Sequence, residues 1–395
     1  MHRRDFLRTS ALASTAFMIP GFLQAQFDPL KVLGKRLIVI QLSGGNDGLN
    51  TVVPYRNDIY YKSRPVLGLS KNELNVVSDQ AGFHPALKEF AGLFENGDLL
   101  TINGVGYPNP NRSHFRSMDI WHSGSDSDKH IQSGWLGRYL DTKASQGLMH
   151  PTAIEIDNSL SLALKGEQEK ALAIENIRQF SRMSKSKLNQ LILSHHDHEH
   201  EHENHAYLYK TLRQTVNASD YIQEKMSVNP RVTDFPATQF GNQLRTIAQM
   251  IAAGMETSVY YASLDGFDTH VNQKQVQQRQ LQQLDSGVGA LVTELKKQNL
   301  WNDTLIMVFS EFGRRVKENG SRGTDHGSGN QVFLLSGGLK KQGFYNPLPD
   351  LTKLNNGDIA MQLDFRQIYT TILEDWLTTD PAGIVPGSFN SLNIF

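Results

Sequence analysis

Short, continuous apolar runs alternate with amphipathic stretches along most of this chain. Leu37 to Leu42 reads LIVIQL, the pattern of a strand buried on both faces. His84 to Phe94 carries apolar positions at helical spacing, with Pro85 at its start and Gly97 beyond its end, and predicts an amphipathic helix. Asp98 to Asn103 predicts the next strand. Strand, helix, strand implies parallel pairing through a right-handed crossover. Further strands are predicted at Pro151 to Ile156, Thr257 to Ser263, Thr304 to Phe309 and Asn330 to Ser336. Further helices are predicted at Gln239 to Ala253, at about Asn272 to Asn299, and at Asp364 to Leu373. Residues 158–240 are polar and weakly patterned, and no internal repeat interrupts the order. The pattern predicts an α/β fold with a mostly parallel central sheet.

The chemistry gathers where predicted strands end, which is where open α/β sheets place their ligands. The first strand runs into Ser43-Gly-Gly-Asn-Asp47-Gly-Leu-Asn50. Its glycines let backbone approach a ligand, and Asp47 is either a cation ligand or a turn and helix cap. The spacing matches neither a dinucleotide fingerprint nor a phosphate-binding loop. After the second strand, a Gly/Pro/Asn loop reaches Asn111-Arg-Ser-His-Phe115, where Ser113 sits at the start of a predicted helix. That end of a helix suits an anion, and Arg112 would help to hold one; Ser113 as a plain N-cap is the competing reading. Leu264-Asp-Gly-Phe-Asp-Thr-His270 follows another strand and offers Asp265 or Asp268 together with His270. Ser310-Glu311-Phe-Gly-Arg314 and Thr324-Asp325-His326-Gly327 follow the apolar run that starts at Thr304. These segments read as one wall of a metal-dependent site.

Composition narrows the options. With 39 Lys and Arg against 40 Asp and Glu, the net charge of -1 gives no electrostatic reason to expect nucleic acid as a partner. The chain contains no cysteine, so any metal here must use His, Asp, Glu, hydroxyls or water. The run His195 to His205 alternates imidazoles and acids and could gather Zn, Ni or Cu, but it lacks the spacing of a built site and reads as a solvated segment. Residues 1–25 have a charged start, an apolar core from Ala11 to Ile19 and a small residue at Ala25, which together predict a signal peptide. That core is too short for a stable membrane span. Arg3-Arg4 followed by Phe6-Leu7 resembles the twin-arginine export signal, so the twin-arginine translocase is the expected partner during export. The mature chain is expected from about Gln26, periplasmic or secreted.

Taken in order, the five loop motifs and the leader resemble the DUF1501 family of exported bacterial proteins, across essentially the whole mature chain. That family is similar to the alkaline phosphatase and sulfatase superfamily. The resemblance implies a three-layer α/β/α sandwich with a metal site at the carboxyl edge of the sheet. It implies Asp47 as the first acid and Ser113 as nucleophile. Asp268 and His270 would form one ligand cluster, with Glu311, Asp325 and His326 completing the site around a divalent metal (Zn, Ca or Mg). The substrate expected is a small anionic ester of phosphate type, with sulfate esters second, because Ser113 lacks a sulfatase context. Phe312 departs from the pattern, standing where a His would supply a nitrogen donor. A catalytically inactive, secreted binding module that retains the fold is the alternative the resemblance leaves open.

Overall fold

A computed structural model describes residues 34–144, 150–168, 171–194 and 203–395. The expected signal peptide and most of the His-rich run lie outside the described residues. Among those described, the central sheet comprises β1 (Arg36–Leu42), β2 (Leu99–Gly106), β3 (Ala153–Glu155), β4 (Leu172–Ala173), β5 (Val259–Leu264), β6 (Thr304–Ser310), β7 (Asn330–Leu335), β8 (Gly343–Phe344) and β9 (Leu363–Asp364). Its order is β8-β2-β7-β6-β1-β5-β3-β4, with β9 pairing β2 farther along. Each pairing is parallel except those of β7, which runs antiparallel to β2 and β6. The reversal follows from the connection: the chain turns back through the 311–329 loop and re-enters the sheet without a crossover helix.

The longer helices are α1 (Lys88–Glu95), α2 (His114–Ser123), α3 (Trp135–Ala144), α4 (Ile177–Ser184), α5 (Lys187–Ser194), α6 (Glu203–Met226), α7 (Gln239–Ala252), α8 (Gln273–Lys297) and α9 (Phe365–Thr371). Strand residues alternate between two buried faces. Leu37, Val39, Leu305 and Met307 face a core shared with Trp121 of α2, Trp135 of α3 and Tyr369 of α9. Stacked rings fill it: Trp121 lies 4.9 Å from Phe309 and 4.4 Å from Phe365, and Trp135 lies 4.1 Å from Tyr369. On the opposite face Phe333 of β7 meets Phe83 and Phe90, the latter on α1. There α8 packs closely on α7, because a Cβ at Gly287 would already stand 3.0 Å from Leu244. Helices on both faces of the sheet make a three-layer α/β/α sandwich. The α1 helix starts later than the apolar pattern, since His84 to Leu87 form a turn in which Ala86 N–H donates to His84 Nδ1 at 3.1 Å.

Register determines where the site forms. Leu42 pairs with both Leu264 and Ser310, so β1, β5 and β6 end level with one another. The loops after them therefore open side by side at one edge, with the amino end of α2 beside them. Among the described residues no helix is long and apolar enough to cross a membrane.

Candidate metal centre

Three loops reach this edge, and a buried guanidinium ties them together. Arg314 donates to the carbonyls of Gly44, Gly45 (2.6 Å), Phe267 (2.9 Å) and Thr324 (2.9 Å), and to Asp268 Oδ1 at 2.8 Å. Only the planar fork of an arginine can address so many acceptors at once. The β1 loop also needs its glycines. Gly44 has φ of +113°, and a Cβ there would stand 2.4 Å from the Asp268 backbone nitrogen.

Within this frame His114, Asp268 and His326 bring one ligand atom each to within 4.8 Å of one another. Asp268 Oδ1 is the hub, 3.4 Å from His114 Nε2, 3.3 Å from His326 Nε2 and 3.1 Å from His270 Nε2. The Nε2 atoms of His270 and His326 face each other at 2.8 Å. Each imidazole is oriented from behind through Nδ1. His114 Nδ1 lies 2.7 Å from Glu311 Oε1, His326 Nδ1 lies 2.7 Å from the Arg112 carbonyl oxygen, and His270 Nδ1 lies 3.4 Å from Asp325 Oδ1. All three partners are oxygens that accept from Nδ1–H, and in a neutral ring Nε2 then presents its lone pair inward. His114 Nε2 is buried without any hydrogen-bond partner.

Charge follows the same geometry. Burial pushes the Asp268 carboxyl up, but the hydrogen bond and charge of Arg314 act against it, and the carboxyl is held at about 2. The hydrogen bond to Glu311 raises His114 against its burial, whereas burial lowers His326. Asn319 and then His270 lower Asp325 by hydrogen bonding. At neutral pH the hub is an anion ringed by imidazoles.

The expected residues divide into two groups. Asp268, His270 and His326 come together. Asp47, Glu311 and Asp325 stand behind other side chains instead. Both Asp47 oxygens accept from buried Arg64, at 2.5 and 2.9 Å, and Gln273 donates to Oδ2 as well. Asp47 occupies the N-cap position of the turn Gly48–Thr51 without a capping bond from its side chain. Glu311 is fully buried, and its oxygens accept from Gly44 N–H (2.9 Å), His114 and Ser310 Oγ (3.1 Å). Asp265 is exposed and outside the cluster. Ser113 is exposed at the N-cap position of α2 with no capping bond from its side chain. Arg112 is half exposed and paired to buried Asp358 at 2.5 Å. Phe312 offers no donor, but its ring lies 4.8 Å from that of His114 and 4.9 Å from that of His326.

Reading the sequence alone overlooked His114 as a ligand candidate, although it follows Ser113 in a loop already singled out. The first turn of α2 brings it alongside Phe312, supplying an imidazole beside the position that lacks one. Arg64 gave no sequence signal, and Arg314 entered only as the last residue of the Ser310-Glu311-Phe-Gly-Arg314 motif, since a buried arginine cannot be told from a solvated one by its neighbours.

The fold and this edge define an α/β/α sandwich protein with a preorganised histidine and carboxylate cluster. The chain belongs to the family described as "Protein of unknown function (DUF1501)", whose model matches residues 99–382. No curated protein matches it. Among solved structures it is similar to a phosphonate monoester hydrolase from Silicibacter pomeroyi, at 11% identity and a TM-score of 0.41 over 91% of this chain and 76% of that one. It is similar to murine ectonucleotide pyrophosphatase/phosphodiesterase 5, at 10% identity and a TM-score of 0.41 over 90% and 97%. A sulfatase from Pseudoalteromonas sp. matches at 13% identity and a TM-score of 0.37 over 85% and 70%.

Proposed function

We propose that this protein is an exported, metal-dependent hydrolase of phosphate-type esters, with Ser113 as nucleophile. The observation that carries the reading is the pair of Nε2 atoms of His270 and His326, 2.8 Å apart beside Asp268 Oδ1. With both rings neutral and both Nδ1 atoms protonated, two lone pairs would face each other, an arrangement that a cation beside them relieves. The donor set fits a divalent cation: His114, Asp268 and His326 would hold it, with His270 adjacent. Ligands about 2.0 Å from a tetrahedral zinc stand about 3.3 Å apart, close to the spacings around Asp268 Oδ1. Two imidazoles and one carboxylate, with a third imidazole adjacent, favour Zn over Ca or Mg, which prefer oxygen cages. When bound, such an ion supplies Lewis-acid polarisation of the phosphoryl group.

The chain's own residues do the rest. The free first-turn N–H groups and positive end of α2 receive the anionic ester next to Ser113. Arg112, held by Asp358 through Nε and Nη2, keeps Nη1 for the ester's equatorial oxygens. Ser113 Oγ bonds to phosphorus as the ester P–O bond breaks, and its proton leaves with the departing alcohol. Water then cleaves the seryl ester. Glu311, Asp325 and the Arg112 carbonyl hold the three imidazoles in one tautomer throughout. Export by the twin-arginine route, resting on the leader, belongs to the same proposal.

A non-catalytic binding module is the second reading, favoured by the closed Asp47–Arg64 pair and by the absence of a donor at Phe312. Metal content of the purified full chain, with turnover of a panel of aryl phosphate monoesters and diesters, separates the two. The hydrolase reading expects about one metal per chain and at least a hundredfold loss of turnover in Ser113→Ala. Bound metal without turnover supports the binding module, and an unaffected Ser113→Ala rules out the assigned nucleophile.

A further inference from the structure

A cavity of about 240 Å³ opens along the same edge, between the loop after β2 and the segment 355–361. Tyr107, Trp121, Phe312, Pro110 and Met361 supply most of its apolar wall. Glu311 borders it too, but its oxygens are committed to Gly44, His114 and Ser310. The Tyr107 hydroxyl is committed to Ser117 Oγ at 2.9 Å. The Trp121 ring is stacked between Phe309 and Phe365 and adds only apolar surface to the wall.

Size limits the occupant. An apolar cavity of roughly 150 Å³ holds a benzene ring, whereas pockets for drug-sized ligands run from about 300 to 1,000 Å³. The space therefore suits one ring with a small substituent. Phe312 links it to the cluster, since the same side chain lines the cavity and contacts the rings of His114 and His326.

We propose that this cavity seats a single aromatic ring of the substrate, so that the ester is of the aryl class with its anionic centre at Ser113. The inference rests on the hydrolase reading for the reacting centre, but the cavity's occupancy can be measured separately. Gly106 lies in the wall, and a Cβ there would meet Met361 and Gly329 at ordinary contact distances of 3.7 to 3.8 Å, so Gly106→Val should narrow the cavity and still fold. The experiment compares kcat/KM for phenyl phosphate and methyl phosphate in wild type and Gly106→Val, and titrates phenol calorimetrically into both. The expected result is at least a tenfold loss for phenyl phosphate, less than a twofold change for methyl phosphate, unchanged metal content and at least tenfold weaker phenol binding. Phenol binding that weakens tenfold in Gly106→Val, with neither ester turned over, supports the cavity while the hydrolase reading fails. Equal kinetics for both esters in both proteins, or phenol binding unchanged by the substitution or absent from wild type, overturns the proposal.

Discussion

His114 Nδ1 stands 2.7 Å from Oε1 of the fully buried Glu311. A carboxylate behind an imidazole fixes the tautomer and raises the basicity of the nitrogen on the far side. Glu311→Gln should therefore leave the protein folded and weaken metal binding by about 10–100-fold, read by chelator competition. Unchanged affinity would remove Glu311 from that role.

Asp47 and Asp268 should behave differently. Asp47→Asn leaves Arg64, itself buried, without its counter-charge, and should cost about 3–5 kcal/mol in denaturant unfolding while the folded protein still binds metal. Asp268→Asn should abolish metal binding, since its Oδ1 is the atom on which the imidazoles converge. Loss of metal from folded Asp47→Asn would return Asp47 to the ligand set.

Gly44 is the backbone position most exposed to test. Its φ of +113° and the 2.4 Å approach of a new Cβ to the Asp268 nitrogen mean that Gly44→Ala must displace one of the two loops. A lowered melting temperature together with at least tenfold weaker metal binding is expected. Stability lost with metal affinity intact would show that the two loops are not mechanically joined there.

Glu155 predicts a pH effect away from the site. Burial, with a smaller contribution from Asp157, raises its carboxyl to about 7 against hydrogen bonds from Ser161. A raised folded pKa favours the protonated form, so this contribution is present below about 4.5 and is lost as pH rises through about 7. Glu155→Gln should raise the unfolding free energy at pH 8 by an amount on the order of 3 kcal/mol, and change it little at pH 4. Calorimetry at the two pH values checks this, and equal shifts at both would refute it.

His84 and His122 act on the acid side. Burial, and then Lys274 for His84 and Lys165 for His122, lowers each to about 4. A depressed imidazole stabilises the fold above about 6.5, and that contribution is lost as pH falls toward about 4. Stability should decline across that window, and His122→Gln should flatten the decline.

Much of the fold was legible because a strand buried on both faces must be apolar at every position and a surface helix must repeat its apolar face. LIVIQL of β1 and TLIMVF of β6 carry that signal without any partner, and the capped start of α9 at Asp364 is equally local. The antiparallel course of β7 was not legible, because an apolar hexamer looks alike in either direction. The site was legible as a set of loops: Asp268, His270 and His326 were singled out and do converge.

The sequence by itself determined which residue types would reach the carboxyl edge of the sheet, and so the kind of chemistry available there. Only the tertiary structure decided which of them face inward. The level ends of β1, β5 and β6 set three loops side by side, and Arg314 tied them. Asp47 then closed on Arg64, and Glu311 turned behind His114. A carboxylate reads the same in sequence whether it meets a cation, an arginine or an imidazole, because its partner is chosen across the fold by distance and burial.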